Sequence, residues 1–272
     1  MSDKKMSDPE IVEDEITTSA ATPTALALDG LLRIAADPAL TEDLALSLLK
    51  RADLQPQILE QFAKNASVLK SRKVKIALAG HPRTPRHVSV PLARQFYAFD
   101  LMKLALAPAA PADVKVAVDD ILIARLETVT IGERLTLARR ASGRVAAALL
   151  LDGKKANSAV IETKIADDKT QSPQTRVMLA ALDNRRLTEA LLIGSVLGAD
   201  ASAALVHAVA RHAKWSPRKE IRAALLRTEH LSLARALEFS SEIPAAALRE
   251  LLDSSRLPSR IKEQLFRERE KQ

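Results

Sequence analysis

Between residues 111 and 125, Val114, Val118, Ile121 and Leu122 recur at the i, i+4, i+7, i+8 spacing of one helix face. Val116 and Ile123, seven apart, mark a second face, so this helix is expected to pack on two sides. No alternating apolar–polar run ends in a hairpin turn. Asp29-Gly30 and Asp152-Gly153 fall between helical stretches, so no strands are expected. The pattern predicts an all-α fold from about residue 23 to 272, in one domain.

Cap residues locate the helix starts. A Ser or Thr hydroxyl accepts a bond from an otherwise orphan first-turn N–H, and proline at the next position loses nothing there. Thr84-Pro85, Ser172-Pro173 and Ser216-Pro217 carry this signature, Thr130-Ile131-Gly132-Glu133 reads as a capping box, and Thr41 precedes two acids. The starts at 41, 84, 130, 172 and 216 are 43, 46, 42 and 44 residues apart. Two segments also align at their apolar positions: Val177 with Ile221, Ala180 with Ala224, Leu182 with Leu226, Leu187 with Leu231. Elsewhere a proline precedes apolar residues three and seven positions on, as Pro85 does Val88 and Leu92, and Pro111 does Val114 and Val118.

Five units of three helices follow from this spacing. The first comprises about Glu42–Arg51, Pro56–Lys64 and Ser67–Ala79, the second Pro85–Ala98, Asp100–Leu106 and Pro111–Thr128. The third comprises Ile131–Arg140, Gly143–Leu151 and Ala156–Ala166; the fourth Pro173–Leu182, Arg185–Leu197 and Ser202–His212; the fifth Pro217–Arg227, His230–Phe239 and Pro244–Asp253. Helices near Thr24–Ala35 and Pro258–Arg269 cap the ends, and Pro91 is expected to kink or split the helix holding it. The period resembles that of the HEAT/armadillo class of α-solenoids, whose units run ~40–47 residues with two or three helices. The chain departs from armadillo proteins that grip extended peptides on a ladder of Trp and Asn, since Trp215 stands alone. That mode is not carried over. The resemblance implies an elongated stack in which equivalent helices line one concave surface.

Composition supports the helical reading, with only seven glycines in 272 residues and 3% aromatics. The absence of cysteine excludes a disulfide framework, a thiolate nucleophile and a Cys-ligated metal. The longest apolar run near the middle, Val145–Leu151, is seven residues, too short to cross a bilayer, and the first sixteen residues lack an apolar signal core. A cytoplasmic location is expected. Residues 1–22 carry six acids against two lysines, the profile of a disordered acidic tail, and leave the remainder of a +7 chain at +11.

Catalytic motifs are absent: no phosphate loop, G-x-S-x-G elbow, zinc helix or calcium loop occurs. His207 and His212 are five apart, the wrong spacing for a metal pair on one helix face. Asp119 and Asp120 point to different faces, and Arg139-Arg140-Ala141-Ser142 matches a basophilic kinase pattern too common in basic chains to carry weight. No enzyme activity, cofactor, metal or small-molecule substrate is inferred. Charge is the distinguishing feature. From Gln61 to Phe99 there are eight Lys or Arg residues and no acid; Ala201 to Lys219 repeats the pattern around Trp215. Lys70, Arg72, Lys73, Lys75, Arg83, Arg86, Arg211, Lys214, Trp215 and Arg218 are the expected partner-binding residues. The expected function is a non-enzymatic scaffold that presents a basic surface to an acidic protein, with the acidic tail as a tethered competitor. The alternative is phosphate contact to nucleic acid. Similarity to HEAT-like DNA glycosylases is confined to architecture and charge, and the shortage of aromatics counts against single-strand binding.

Overall fold

The computed structural model describes residues 23–151 and 172–270. The acidic segment 1–22 and the expected helix Ala156–Ala166 lie outside them. The described residues form sixteen α-helices, two short 3-10 turns and no strand. In chain order these are α1 (Pro23–Ala36), α2 (Glu42–Leu49), α3 (Pro56–Lys64), α4 (Arg72–Ala79), α5 (Arg86–Ala93), α6 (Ala98–Leu106), α7 (Ala112–Ala124) and α8 (Ile131–Arg140). There follow α9 (Gly143–Leu151), α10 (Pro173–Leu182), α11 (Glu189–Leu197), α12 (Ala203–Arg211), α13 (Lys219–Leu226), α14 (Leu233–Ser240), α15 (Ala245–Asp253) and α16 (Ser259–Glu270). None is long and apolar enough to cross a membrane.

Three of the five expected caps form. Thr41 and Ser172 accept from the N–H groups of Leu44 and Thr175. Thr130 and Glu133 make the reciprocal capping box, which holds the Glu133 carboxyl below the usual range. The other two differ. Pro85 itself is the N-cap of α5, in extended backbone, while the Thr84 hydroxyl turns back to donate to Leu78 C=O at 2.7 Å. Helix α13 starts at Lys219, so Ser216-Pro217 lies in the preceding turn and caps nothing. Pro91 stays inside α5, removing one donor without splitting a helix that ends at Ala93. The expected helix Ser67–Ala79 is interrupted at Ser71, which closes the 3-10 turn Val68–Lys70 and caps α4 through Val74 N–H. On α7, Val114, Val118 and Leu122 are buried as the stripe demands, but Val116 is 46% exposed, so the second face does not pack at that end.

All eight residues of the 44-residue alignment are core: Val177, Ala180, Leu182 and Leu187, with Ile221, Ala224, Leu226 and Leu231, are each at most 8% exposed. All but Ala224 belong to one contiguous apolar cluster running from Ala35 to Leu265. Helices recur about every fifteen residues. Among the described helices, contacts join sequence neighbours, as in α4–α5, α6–α7, α8–α9 and α13–α14, and helices one further apart, as in α1–α3, α2–α4, α5–α7 and α11–α13.

The turns show the same step. Asn65, His81, Asn184 and His212 each follow the end of a helix and play one role. A side-chain acceptor takes the N–H two residues on, and a side-chain donor reaches an earlier turn. Asn65 Oδ1 accepts from Ser67 N–H while its amide donates to the carbonyls of Ala35 and Asp37, 28–30 residues back. His81 Nδ1 accepts from Arg83 N–H, which puts the ring proton on Nε2, and this donates to Arg51 C=O at 2.8 Å. His212 repeats the arrangement with Lys214 N–H and the Asp183 carboxylate, 29 residues back. In the α1–α2 turn, Asp37 takes the Ala39 N–H at 2.8 Å, the same acceptor role two residues on. Asn184 binds the carbonyls of Ala138 and Ala141 at separations of 46 and 43, a span that includes residues 152–171.

Candidate functional site

Turns two apart in the chain share an edge of the molecule, and this decides which cations meet. Lys70, Arg72, Lys73 and Lys75 occupy the α3–α4 turn and the start of α4; Arg83 and Arg86 occupy the α4–α5 turn, at the other end of α4. The acid-free run of the sequence does not stay acid-free in space. Arg72 donates to the Asp100 carboxylate at 2.7 Å and stacks 5.0 Å from the Tyr97 ring. Lys73 pairs with Glu42 at 3.1 Å and Arg86 with Asp113 at 3.7 Å. Arg83 donates to Asp53 C=O and Lys75 to the Gln95 amide. The exposed pairs among these contribute at most about 1 kcal/mol each to stability, and three of the six cations have a carboxylate beside them. Of the six cations, only Lys70 makes no hydrogen bond or ion pair through its side chain among the described residues.

The second group is different. Trp215 is 1% exposed and donates its indole N–H to Leu182 C=O at 2.8 Å, so it is a core residue rather than a docking surface. Lys214 and Arg218 cover its ring, 4.2 and 5.0 Å from the centroid. The turn that carries them stacks on the α10–α11 turn, through Lys214 Nζ to Asn184 C=O, and that turn stacks on the end of α8, through Asn184 and through Arg186 to Arg140 C=O. Two Arg-Arg dipeptides 46 residues apart, Arg139-Arg140 and Arg185-Arg186, thereby join Arg211 and Lys214 along one edge. Residues 138–142, 183–189 and 211–219 together hold eight Lys or Arg and two acids. Both acids are already engaged: Asp183 by His212 at 3.2 Å, Glu189 by Arg218 at 2.7 Å. Arg139, Arg140, Arg185 and Arg211 are exposed and pair with no carboxylate among the described residues.

Sequence reasoning finds one rung of this ladder and misses Arg139, Arg140, Arg185 and Arg186. The available signal is the repeated Arg-Arg dipeptide at the end of one helix and just past the end of another.

An apolar pocket of about 320 Å³ opens between α13, α14 and α15. Phe239, Ile243 and Leu251 line its inner part, Ala223 and Ala247 its walls. Arg222 lies over the Phe239 ring at 5.3 Å, donates to Ser216 C=O at 2.8 Å and pairs with Glu242 at 2.5 Å. No group of three or more His, Cys, Asp or Glu among the described residues is placed to hold a metal ion. Asp119, 5% exposed, has one carboxylate oxygen without a partner, and burial pushes its carboxyl above the usual range against the pull of a Ser142 hydrogen bond.

Compared with known proteins, the chain matches no family model, and no curated protein or solved structure is significantly similar to it.

Proposed function

We propose that this chain is a non-enzymatic binding protein, a HEAT/armadillo-like α-solenoid that presents its arginine-rich edge to an acidic protein partner. The supporting observation is the ladder on three stacked turns, where four arginines have no carboxylate of their own among the described residues. Guanidinium groups lose less on desolvation than ammonium groups and match carboxylates in bidentate geometry. A partner bringing acids to this edge replaces contacts the fold leaves unmade. Stacking of successive turns supports the solenoid reading, in which repeated units pack on their neighbours.

The alternative is nucleic acid, for which the same guanidinium groups suit phosphates. Two features weigh against it. Trp215 is buried, leaving this edge without an aromatic face for a base, and the ladder runs into an apolar pocket that a phosphate backbone has no use for. A triple reversal, Arg140→Glu, Arg185→Glu and Arg211→Glu, tests the reading in the full chain. Cross-linking in cell extract is expected to join acidic segments of one protein to this edge in the unmodified chain, and to lose them in the variant. Retardation of random duplex with log affinity linear in log salt, and no such cross-links, would establish the alternative.

A further inference from the structure

We propose that the pocket between α13, α14 and α15 takes one large apolar side chain of an acidic peptide segment whose carboxylates lie along the arginine ladder. This deepens the partner reading above and rests on it. Two observations bring pocket and ladder together. Arg222 forms one wall of the pocket and donates to Ser216 C=O, in the same turn that carries Lys214 and Arg218. Lys219, the first residue of α13, lines the pocket and directly follows Arg218. The two features are thus continuous along one edge.

The chemistry of the pocket selects its occupant. Its volume is at the small end of ligand sites (about 300–1,000 Å³), ample for a leucine, phenylalanine or tryptophan side chain. Its two cations, Arg222 and Lys219, face two acids, Glu242 and Glu220, so it holds no net charge to attract a free anion. No lining side chain has a buried polar atom without a partner, so nothing in it would orient a polar small molecule. It offers apolar burial alone. Specificity for the whole segment then comes from the ladder next to it, an arrangement of a buried anchor beside a charged rim.

The test is a selection of phage-displayed random peptides on the full chain at low salt, followed by anisotropy titration of one enriched peptide labelled with a fluorophore. Enriched peptides are expected to combine Asp or Glu with one Leu, Phe or Trp. Ala247→Phe plugs the pocket from an exposed position of α15, with Ala247→Ser as the volume-neutral control and a thermal melt of each as the check on folding. Plugging the pocket, or changing the peptide's apolar residue to alanine, is expected to weaken binding about ten- to a hundredfold, the factor for withholding one large side chain from burial. Both changes together should cost no more than either alone. Acidic peptides that lack an apolar anchor and ignore Ala247→Phe, yet are lost on Arg140→Glu/Arg185→Glu, would overturn this inference and leave the partner reading standing. Failure to enrich acidic peptides would overturn both, with duplex DNA binding as the nucleic-acid outcome. A dimer in sedimentation that Ala247→Phe dissociates would place a second copy in the pocket, and the inference would be wrong.

Discussion

Replacing Asn184 by alanine removes three hydrogen bonds from a side chain 1% exposed. Two are donated, to Ala138 C=O at 2.7 Å and Ala141 C=O at 3.2 Å, and one is accepted from Arg186 N–H at 2.7 Å. The Ala138 carbonyl lies in the last turn of α8, where the helix offers no partner. At a net ~1 kcal/mol each, with part of the desolvation penalty of the orphaned carbonyls added, Asn184→Ala is expected to cost about 3–4 kcal/mol. In a chain of this size that lowers the melting midpoint by on the order of 6–16 °C. Circular dichroism melts measure the midpoint, and hydrogen exchange at the Arg186 amide reads the junction directly. The isosteric Asn184→Asp sharpens the test. It keeps the acceptor for Arg186 but sets a carboxylate oxygen against two carbonyl oxygens, so the introduced carboxyl should have a raised pKa in the folded state. The folded protein then binds the extra proton, and stability should fall as pH rises through the carboxylate range and remain low above it. A loss below about 1 kcal/mol for the alanine variant, or an aspartate variant as stable as the original at neutral pH, would refute the claim that this side chain holds the two turns together.

Gly143 abuts the same junction: a Cβ there would lie 2.2 Å from Arg186 O and 3.0 Å from Leu191 Cδ1, so Gly143→Ala is expected to destabilise by about 2–3 kcal/mol or more in a urea titration. Gly194, inside α11 with open space around it, should respond in the opposite sense, with Gly194→Ala gaining roughly 0.5–1 kcal/mol in the same titration. Because burial raises the Asp119 carboxyl, the folded state holds its proton to higher pH than the unfolded chain does. Its contribution therefore declines as pH climbs from the ordinary aspartate value through the raised one, and Asp119→Asn should flatten that part of a stability–pH profile. Trp215 is the one tryptophan and is buried, so fluorescence emission should be blue-shifted and weakly quenched by acrylamide until unfolding. Red-shifted native emission would contradict its place in the core.

Much of the architecture is written in short-range pattern. Apolar spacing identifies the helices and the buried partners in the 44-residue alignment, and cap residues the starts at Thr41, Thr130 and Ser172, because these depend on residues within one or two turns of each other. Hydroxyl caps at Thr84 and Ser216 fail for an equally local reason. Thr84 lies one residue before the N-cap Pro85 and donates to Leu78 C=O behind it, and Ser216 lies in a turn that takes three more residues to re-enter a helix.

What local pattern does not contain is how many helices make a unit. Starts spaced by about fifteen residues fit groups of two or three equally well; the choice belongs to side-chain packing between helices and to the Asn and His side chains that reach back about thirty residues. Charge follows the same logic. The run Gln61–Phe99 determines a local excess of cations, but a field depends on distance in space, and Glu42, Asp100 and Asp113 approach from neighbouring helices to pair with three of its eight cations. The unneutralised edge instead joins Arg139-Arg140 to Arg185-Arg186 and Arg211, residues whose common position exists only once the turns are stacked.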